Sequence, residues 1–334
     1  MSRISKSRLL ATSAIVGLSI VHLSAAARAQ QTFGVHNDQE ETLDIIVAEG
    51  ETVEGDDIGV YAQEGAVEVE NDGTIRGDGT GGIVLEQPNS IIDNRGVISG
   101  SRFGIVTVAH SDAATGQAGN LAADTSVTNS GTIVGEAQDA VRLQGGGTVV
   151  NSGTISGQGN VQSDGVNMFA NDGQDLATYV SSVTNSAEGE IFGERAAIAL
   201  SSGGTIDNAG TLTGNTMGVL IQNGVGETPV SGSIVNSGTI TGNLGGGIVG
   251  FGLLEGFAVA NTGDIAGAAG DGVYLNIFGQ EVVVVDNAAD ATIEGSESGV
   301  HIELGAAAIT NAGTIRGNGG NLGFDAPPDA GITL

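Results

Sequence analysis

The sequence predicts an all-β fold, a right-handed parallel β-helix of three-strand coils with a period of about 22–26 residues. Three observations carry that expectation. A nine-residue phrase, Val149-Val150-Asn151-Ser152-Gly153-Thr154-Ile155-Ser156-Gly157, recurs along the chain. A second element, a small residue followed by apolar-x-apolar, comes after several copies of it. Past the N-terminus, no stretch of ten or more residues repeats its apolar positions at the helical period.

The phrase returns at Val127 to Gly135, Ile206 to Gly214, Ile234 to Gly242, Val259 to Gly267 and Ile309 to Gly317. Looser copies stand at Val69 to Gly77 and Ile92 to Gly100, and two longer ones at Val183 to Gly193 and Val285 to Gly295. Their central asparagines are Asn71, Asn94, Asn129, Asn151, Asn185, Asn208, Asn236, Asn261, Asn287 and Asn311. The steps between them are 23, 35, 22, 34, 23, 28, 25, 26 and 24 residues. Spacing of that order marks stacked units, none of which buries its apolar face alone.

Alternation along a strand sends Val149 and Asn151 to one side and Val150 to the other. Asn-x-Gly is turn chemistry, because both residues tolerate positive φ. Thr154-Ile155-Ser156 then reads as a second strand with Ile155 inward. The third strand is Gly82-Ile83-Val84-Leu85, Ala140-Val141-Arg142-Leu143, Ala197-Ile198-Ala199-Leu200, Gly272-Val273-Tyr274-Leu275 or Gly299-Val300-His301-Ile302. Its middle position accepts Arg, Tyr and His, which points outward. The ten asparagines fall at one inward corner and are expected to stack as a structural amide ladder.

Taken in chain order, residues 1–29 carry a basic start (Arg3, Lys6, Arg8), an apolar run from Leu9 to Leu23 and an Ala-rich end, the pattern of a signal peptide cut near Ala29. Residues 30–68 are acid-rich and read as a polar N-terminal cap with irregular first coils. Residues 69–334 hold the regular repeat. Four insertions, Ala109 to Ser126, Ala170 to Ser182, Asn223 to Ser233 and Gly250 to Phe257, all follow the third strand and precede the Asn-bearing one. They are expected to stack along one flank, either as a binding face, as in many repeat proteins, or as drift at a permissive corner. Gly331-Ile332-Thr333-Leu334 looks like the start of one more coil, as if the chain were a fragment truncated mid-coil.

Loss of residues 1–29 would remove four cations and no acid, taking the net charge from −29 to −33. Six Arg and no Lys remain, which disfavours nucleic acid, anionic lipid and sulfated glycan as partners. There is no Cys, so no disulfide framework assists an exported chain.

The Asn-Ser-Gly-Thr-Ile-x-Gly copies at 129–135, 151–157 and 236–242, with Asn-Ala-Gly-Thr-Ile-Arg-Gly at 311–317, resemble the passenger domains of Gram-negative autotransporters, over about residues 69–334. The resemblance implies a β-helical surface rod, often an adhesin, exported across the outer membrane. It also implies a C-terminal outer-membrane barrel, of which this chain shows no trace. The partner would be a surface ligand of a host or neighbouring cell, protein or glycan.

No cofactor is expected. Right-handed β-helices also include polysaccharide hydrolases and lyases, so an enzyme is the alternative. Such enzymes need neighbouring carboxylates. Asp93, Asp207 and Asp286, each before a ladder Asn, lie too many coils apart. His36, His110 and His301 accompany no nucleophile motif, and His301 reads as a solvated surface residue. Gly319 to Asp325 matches a calcium-binding nonapeptide once and in part. Gly77 to Gly82 fits Gly-x-Gly-x-x-Gly but precedes a strand, against a dinucleotide site. Arg76-Gly77-Asp78 is an integrin-type tripeptide at an outward corner, although the repeat itself demands Gly77 and Arg316-Gly317-Asn318 shows the same corner without Asp.

Overall fold

The computed structural model describes residues 20–22, 33–108, 124–169, 181–222, 231–252, 256–277, 282–319 and 331–333. Every sheet pairing among them is parallel, and no helix occurs. Three sheets of twelve, eleven and twelve strands run the length of the molecule, each strand pairing with its counterpart one coil away. We name them in the order the chain visits them within a coil. Sheet I holds the Asn-bearing strands such as Gly147–Asn151, sheet II the Thr-Ile-x-Gly strands such as Thr154–Gly157, and sheet III those such as Val166–Phe169. At about 4.8 Å per rung, a twelve-stranded sheet spans roughly 53 Å.

The register follows from one requirement, that aliphatic residues stack on aliphatic residues. Val127, Val149 and Val183 are consecutive on sheet I, and Ile133, Ile155 and Ile191 on sheet II. On sheet III, Val141, Val166 and Ile198 are consecutive. All nine are buried, and the three columns meet in one continuous core. A slip of one residue would turn each column outward, so the pattern fixes the pairing.

The asparagine ladder forms as expected. Each Nδ2 from Asn71 to Asn287 donates to the Oδ1 of the next coil's Asn, at 2.7–2.9 Å over nine consecutive steps. The same Nδ2 reaches backbone carbonyls at the corner, as Asn151 does to Gly153 O at 3.0 Å. Nine of the ten asparagines are buried, and Asn311, last in the row, is exposed.

The glycine of the Asn-x-Gly corner is there for a different reason than the sequence suggested. Gly153 is absent from the positive-φ residues. A Cβ on it would stand 2.2 Å from the carbonyl oxygen of Gly131 on the coil beneath. Close stacking of successive corners, not a left-handed backbone, excludes a side chain.

The acidic segment is also more regular than expected. Leu43–Val47 pairs with Val67–Asn71, and Thr52–Gly55 with Thr74–Gly77, in the register of the later coils. Its acids occupy outward positions, while Ile45, Val47, Val53 and Val60 keep the inward columns apolar. Val47 stands where later coils have the ladder Asn, and the Oδ1 of Asn71 consequently has no hydrogen-bond partner. Ile20–His22 adds one strand to this edge of sheet I, and the rest of the proposed signal peptide lies outside the described residues. Ile332–Thr333 pairs with Val300–His301 on sheet III.

Candidate functional site

The ladder positions are structural, so any recognition surface lies on an outer face. Sheet III has the most distinctive one. Its middle outward row runs His36, Tyr61, Val84, Val106, Arg142, Asn167, Ala199, Leu220, Val249, Tyr274 and His301. These side chains do point away from the core, as their tolerance for polar residues implied. Outward does not mean solvated, however. Val84, Val106, Ala199, Leu220 and Val249 are all at most 6% exposed. They belong to two apolar clusters separate from the main core, one also containing Ile58 and Phe103, the other Ala196.

Between these clusters sits a buried ionic group. Asp139 and Asp164 occupy the same corner on consecutive coils, 3% and 0% exposed. Asp164 is gripped by the Arg195 guanidinium, with Nε donating to Oδ1 at 2.9 Å and Nη2 to Oδ2. The backbone N–H of Ala196 also donates to Asp164 Oδ1, at 3.1 Å. Asp139 accepts from the Asp164 N–H at 2.8 Å and from Asn167 Nδ2 at 3.1 Å, and the Arg142 Nε lies 3.6 Å away. Burial raises both carboxyls; Asp164 is pushed up to about 6 even though Arg195 opposes the shift. Arg142 in turn lies over Phe103 and Phe169, 5.5 and 4.9 Å from their ring centres.

This group is the place where the molecule most nearly assembles paired acids. Strand spacing puts the two aspartates about 5 Å apart, the separation of a retaining glycosidase pair. Their surroundings differ from such a pair. Each oxygen already accepts a hydrogen bond or faces a cation, and neither side chain reaches solvent. Their role is to bind corner N–H groups: Asp271 does the same for Ser298 N at 2.8 Å, and Asp57 for Thr80 N at 2.8 Å. Sequence reasoning passed over these residues. The signal was Asp139-Ala140-Val141, Asp164-Gly165-Val166 and Asp271-Gly272-Val273, an aspartate just before the small residue that opens the third strand.

The structure places the other candidates apart. Asp93, Asp207 and Asp286 share one outward row of sheet I, with about 19 Å between the first two and 14 Å between the last two. Arg76 and Asp78 are exposed at a sheet II corner but pair with each other, Nε to Oδ1 at 2.5 Å, while Gly77 between them is buried. Gly81–Leu85 continues the Gly-rich segment as a strand. His301 is half-buried rather than solvated, with Nδ1 3.2 Å from Asp271 Oδ2 and its ring edge-on to Tyr274. His110 and most of the partial nonapeptide lie outside the described residues. So do the middles of the four insertions, although their flanking strands show that all four leave sheet III and re-enter at sheet I. Among the described residues, no group of three His, Asp or Glu is placed to hold a metal ion.

No protein-family model, curated protein or solved structure matches the chain.

Proposed function

We propose that this protein is an exported structural and adhesive rod, similar in plan to an autotransporter passenger, that meets a surface ligand through the insertions at the corner from sheet III to sheet I. The observation that carries the reading is the shared exit corner. Four segments of different length and composition leave a rigid scaffold at the same corner of stacked coils, which would line up their attachment points along one flank. The integrin-type tripeptide supports adhesion less, since its Arg and Asp satisfy each other.

The test is expression with residues 1–29 in a Gram-negative host, fused to an outer-membrane barrel, followed by surface labelling and an adhesion assay on epithelial and bacterial cells. Replacing residues 109–123, 170–180 and 223–230 with short Gly-Ser linkers should leave surface display intact and abolish adhesion. Unchanged adhesion would overturn the loop-flank reading.

A polysaccharide-cleaving enzyme is the second reading, favoured only by the one-rung spacing of Asp139 and Asp164. It requires release of reducing ends from a polysaccharide by the wild type and its loss in Asp139→Asn.

A further inference from the structure

We infer that the outer face of sheet III carries two sugar-ring subsites for a neutral polysaccharide, one centred on Tyr61 and the other on Tyr274. This deepens the adhesive reading and rests on it.

The two places repeat one arrangement. Tyr61 donates its phenol hydroxyl to Glu86, and Tyr274 donates to Glu303 Oε2 at 2.5 Å. In both, the acceptor lies one coil onward and two residues past the tyrosine's register partner, Val84 or His301. In both, a histidine sits beside the tyrosine on an adjacent coil: His36 stacks on Tyr61 with ring centres 5.0 Å apart, and His301 meets Tyr274 at 5.2 Å. In both, a phenylalanine completes the platform, Phe33 at 5.0 Å from Tyr61 and Phe251 at 5.6 Å from Tyr274. The histidine lies on the earlier coil in one place and the later coil in the other, so the likeness is of chemistry rather than of copied sequence.

The coil does not demand this. On the intervening rungs the row holds Val, Arg, Asn, Ala or Leu, and its apolar members are covered. The platforms are open by contrast: His36 is exposed, Phe251 is 41% exposed, and the two tyrosines are half-buried. A hydroxyl bond to a carboxylate fixes the tilt of each tyrosine ring, and the neighbouring rings brace it, so the exposed surface of each ring cluster is held ready at little entropic cost on binding.

The rim of each platform selects the ligand. At the rim of Tyr274 stands Glu303, and around Tyr61 stand Glu86, Gln63 and Gln87, whose oxygens can accept hydrogen bonds from hydroxyl groups; Asp271 and the Asn276 Oδ1 lie buried beneath the Tyr274 platform. No Arg is among them, and the whole chain is strongly acidic, which repels sulfated, phosphorylated and uronate-rich glycans. Flat apolar faces ringed by hydroxyl acceptors suit an uncharged sugar ring. Eight rungs separate Tyr61 from Tyr274, about 38 Å. A polymer-coated surface would therefore engage both, and two linked weak sites gain on the order of 10²–10⁴ in avidity over one.

Native affinity electrophoresis of the full chain in gels containing mannan, galactomannan or a β-glucan, with heparin as the polyanionic control, tests this. At least one neutral polymer should retard the wild type and heparin should not. Tyr61→Ala and Tyr274→Ala, each with unchanged net charge and an unchanged circular dichroism spectrum, should each weaken retardation at least tenfold, and the double variant should lose it. Glu303→Gln serves as a milder second variant should Tyr274→Ala fail to fold. No retardation by any neutral polymer, or equal retardation of the double variant, overturns the inference. Failure of the inference would leave insertion-dependent cell adhesion in place, so the linker variants judge the adhesive reading separately.

Discussion

At the scale of single residues, the asparagine ladder shows how one side chain sets a fold's tolerance. Asn151 accepts from Asn129 at 2.8 Å, donates to Asn185 at 2.8 Å, and is fully buried. Asn151→Ala would leave the Asn185 Oδ1 with no donor and take the amide acceptor from Asn129, whose Nδ2 keeps the Gly131 and Thr154 carbonyls. An orphaned buried acceptor costs about 1–3 kcal/mol, and that is the expected loss. Asn311→Ala, at the exposed end of the row, should cost less than about 0.5 kcal/mol. Urea midpoints of the two variants check the contrast, and equal shifts would refute a cooperative ladder. This row was fully legible in the sequence because amide stacking requires an identical residue at an identical phase. Asp164 was not legible in the same way. Besides Asp139 and Asp271, its aligned positions hold Gly81, Phe103, Ala196 and Met217, so the Asp-small-Val signal recurs on too few coils to stand out as a column in the sequence.

At the scale of elements, corners are the constraint and strands are the filler. Three short strands per coil need three changes of direction, and each coil's corners rest on those below. Gly153→Ala places a methyl 2.2 Å from a backbone oxygen that no rotamer can move. The strain should cost about 1–3 kcal/mol, the usual range for overpacking, and lower the melting temperature. A substitution tolerated with no change in melting would mean the corners are looser than they look. The sequence identified this glycine correctly and gave it the wrong cause, since a left-handed turn and a crowded one both select glycine. The acidic first coils were misjudged for a related reason. High charge suggested irregularity, yet outward acids do not disturb the alternation of Leu43, Ile45 and Val47. The outer clusters of sheet III were hidden as well, because a valine facing outward reads like any surface valine until something covers it.

At the scale of the whole molecule, the acid excess and the buried ionic group act in the same direction with pH. Lowering the charge relieves self-repulsion everywhere on the rod. Asp164 adds a local contribution: its folded pKa of about 6 lies above the unfolded value near 3.9, so the folded state binds a proton more readily between them. Stability from this group therefore rises as pH falls through about 6 and is fully present below about 4. The wild type should gain on Asp164→Asn by ~2 kcal/mol between pH 7 and pH 4, measured as the difference between their urea-unfolding curves. Parallel pH profiles for the two would show that Arg195 holds the aspartate ionised throughout.

The ladder also gives the rod a direction. Every amide from Asn71 to Asn287 points its N–H toward the later coils and its oxygen toward the earlier ones. Aligned in series, these dipoles leave a bare oxygen at Asn71 and a bare N–H face at Asn311. The early end, already crowded with Glu49, Glu51, Glu54, Asp56 and Asp57, is thereby made more negative still. An approaching cation or an electric field would thus find a shaft with a defined negative pole, whatever its loops are holding.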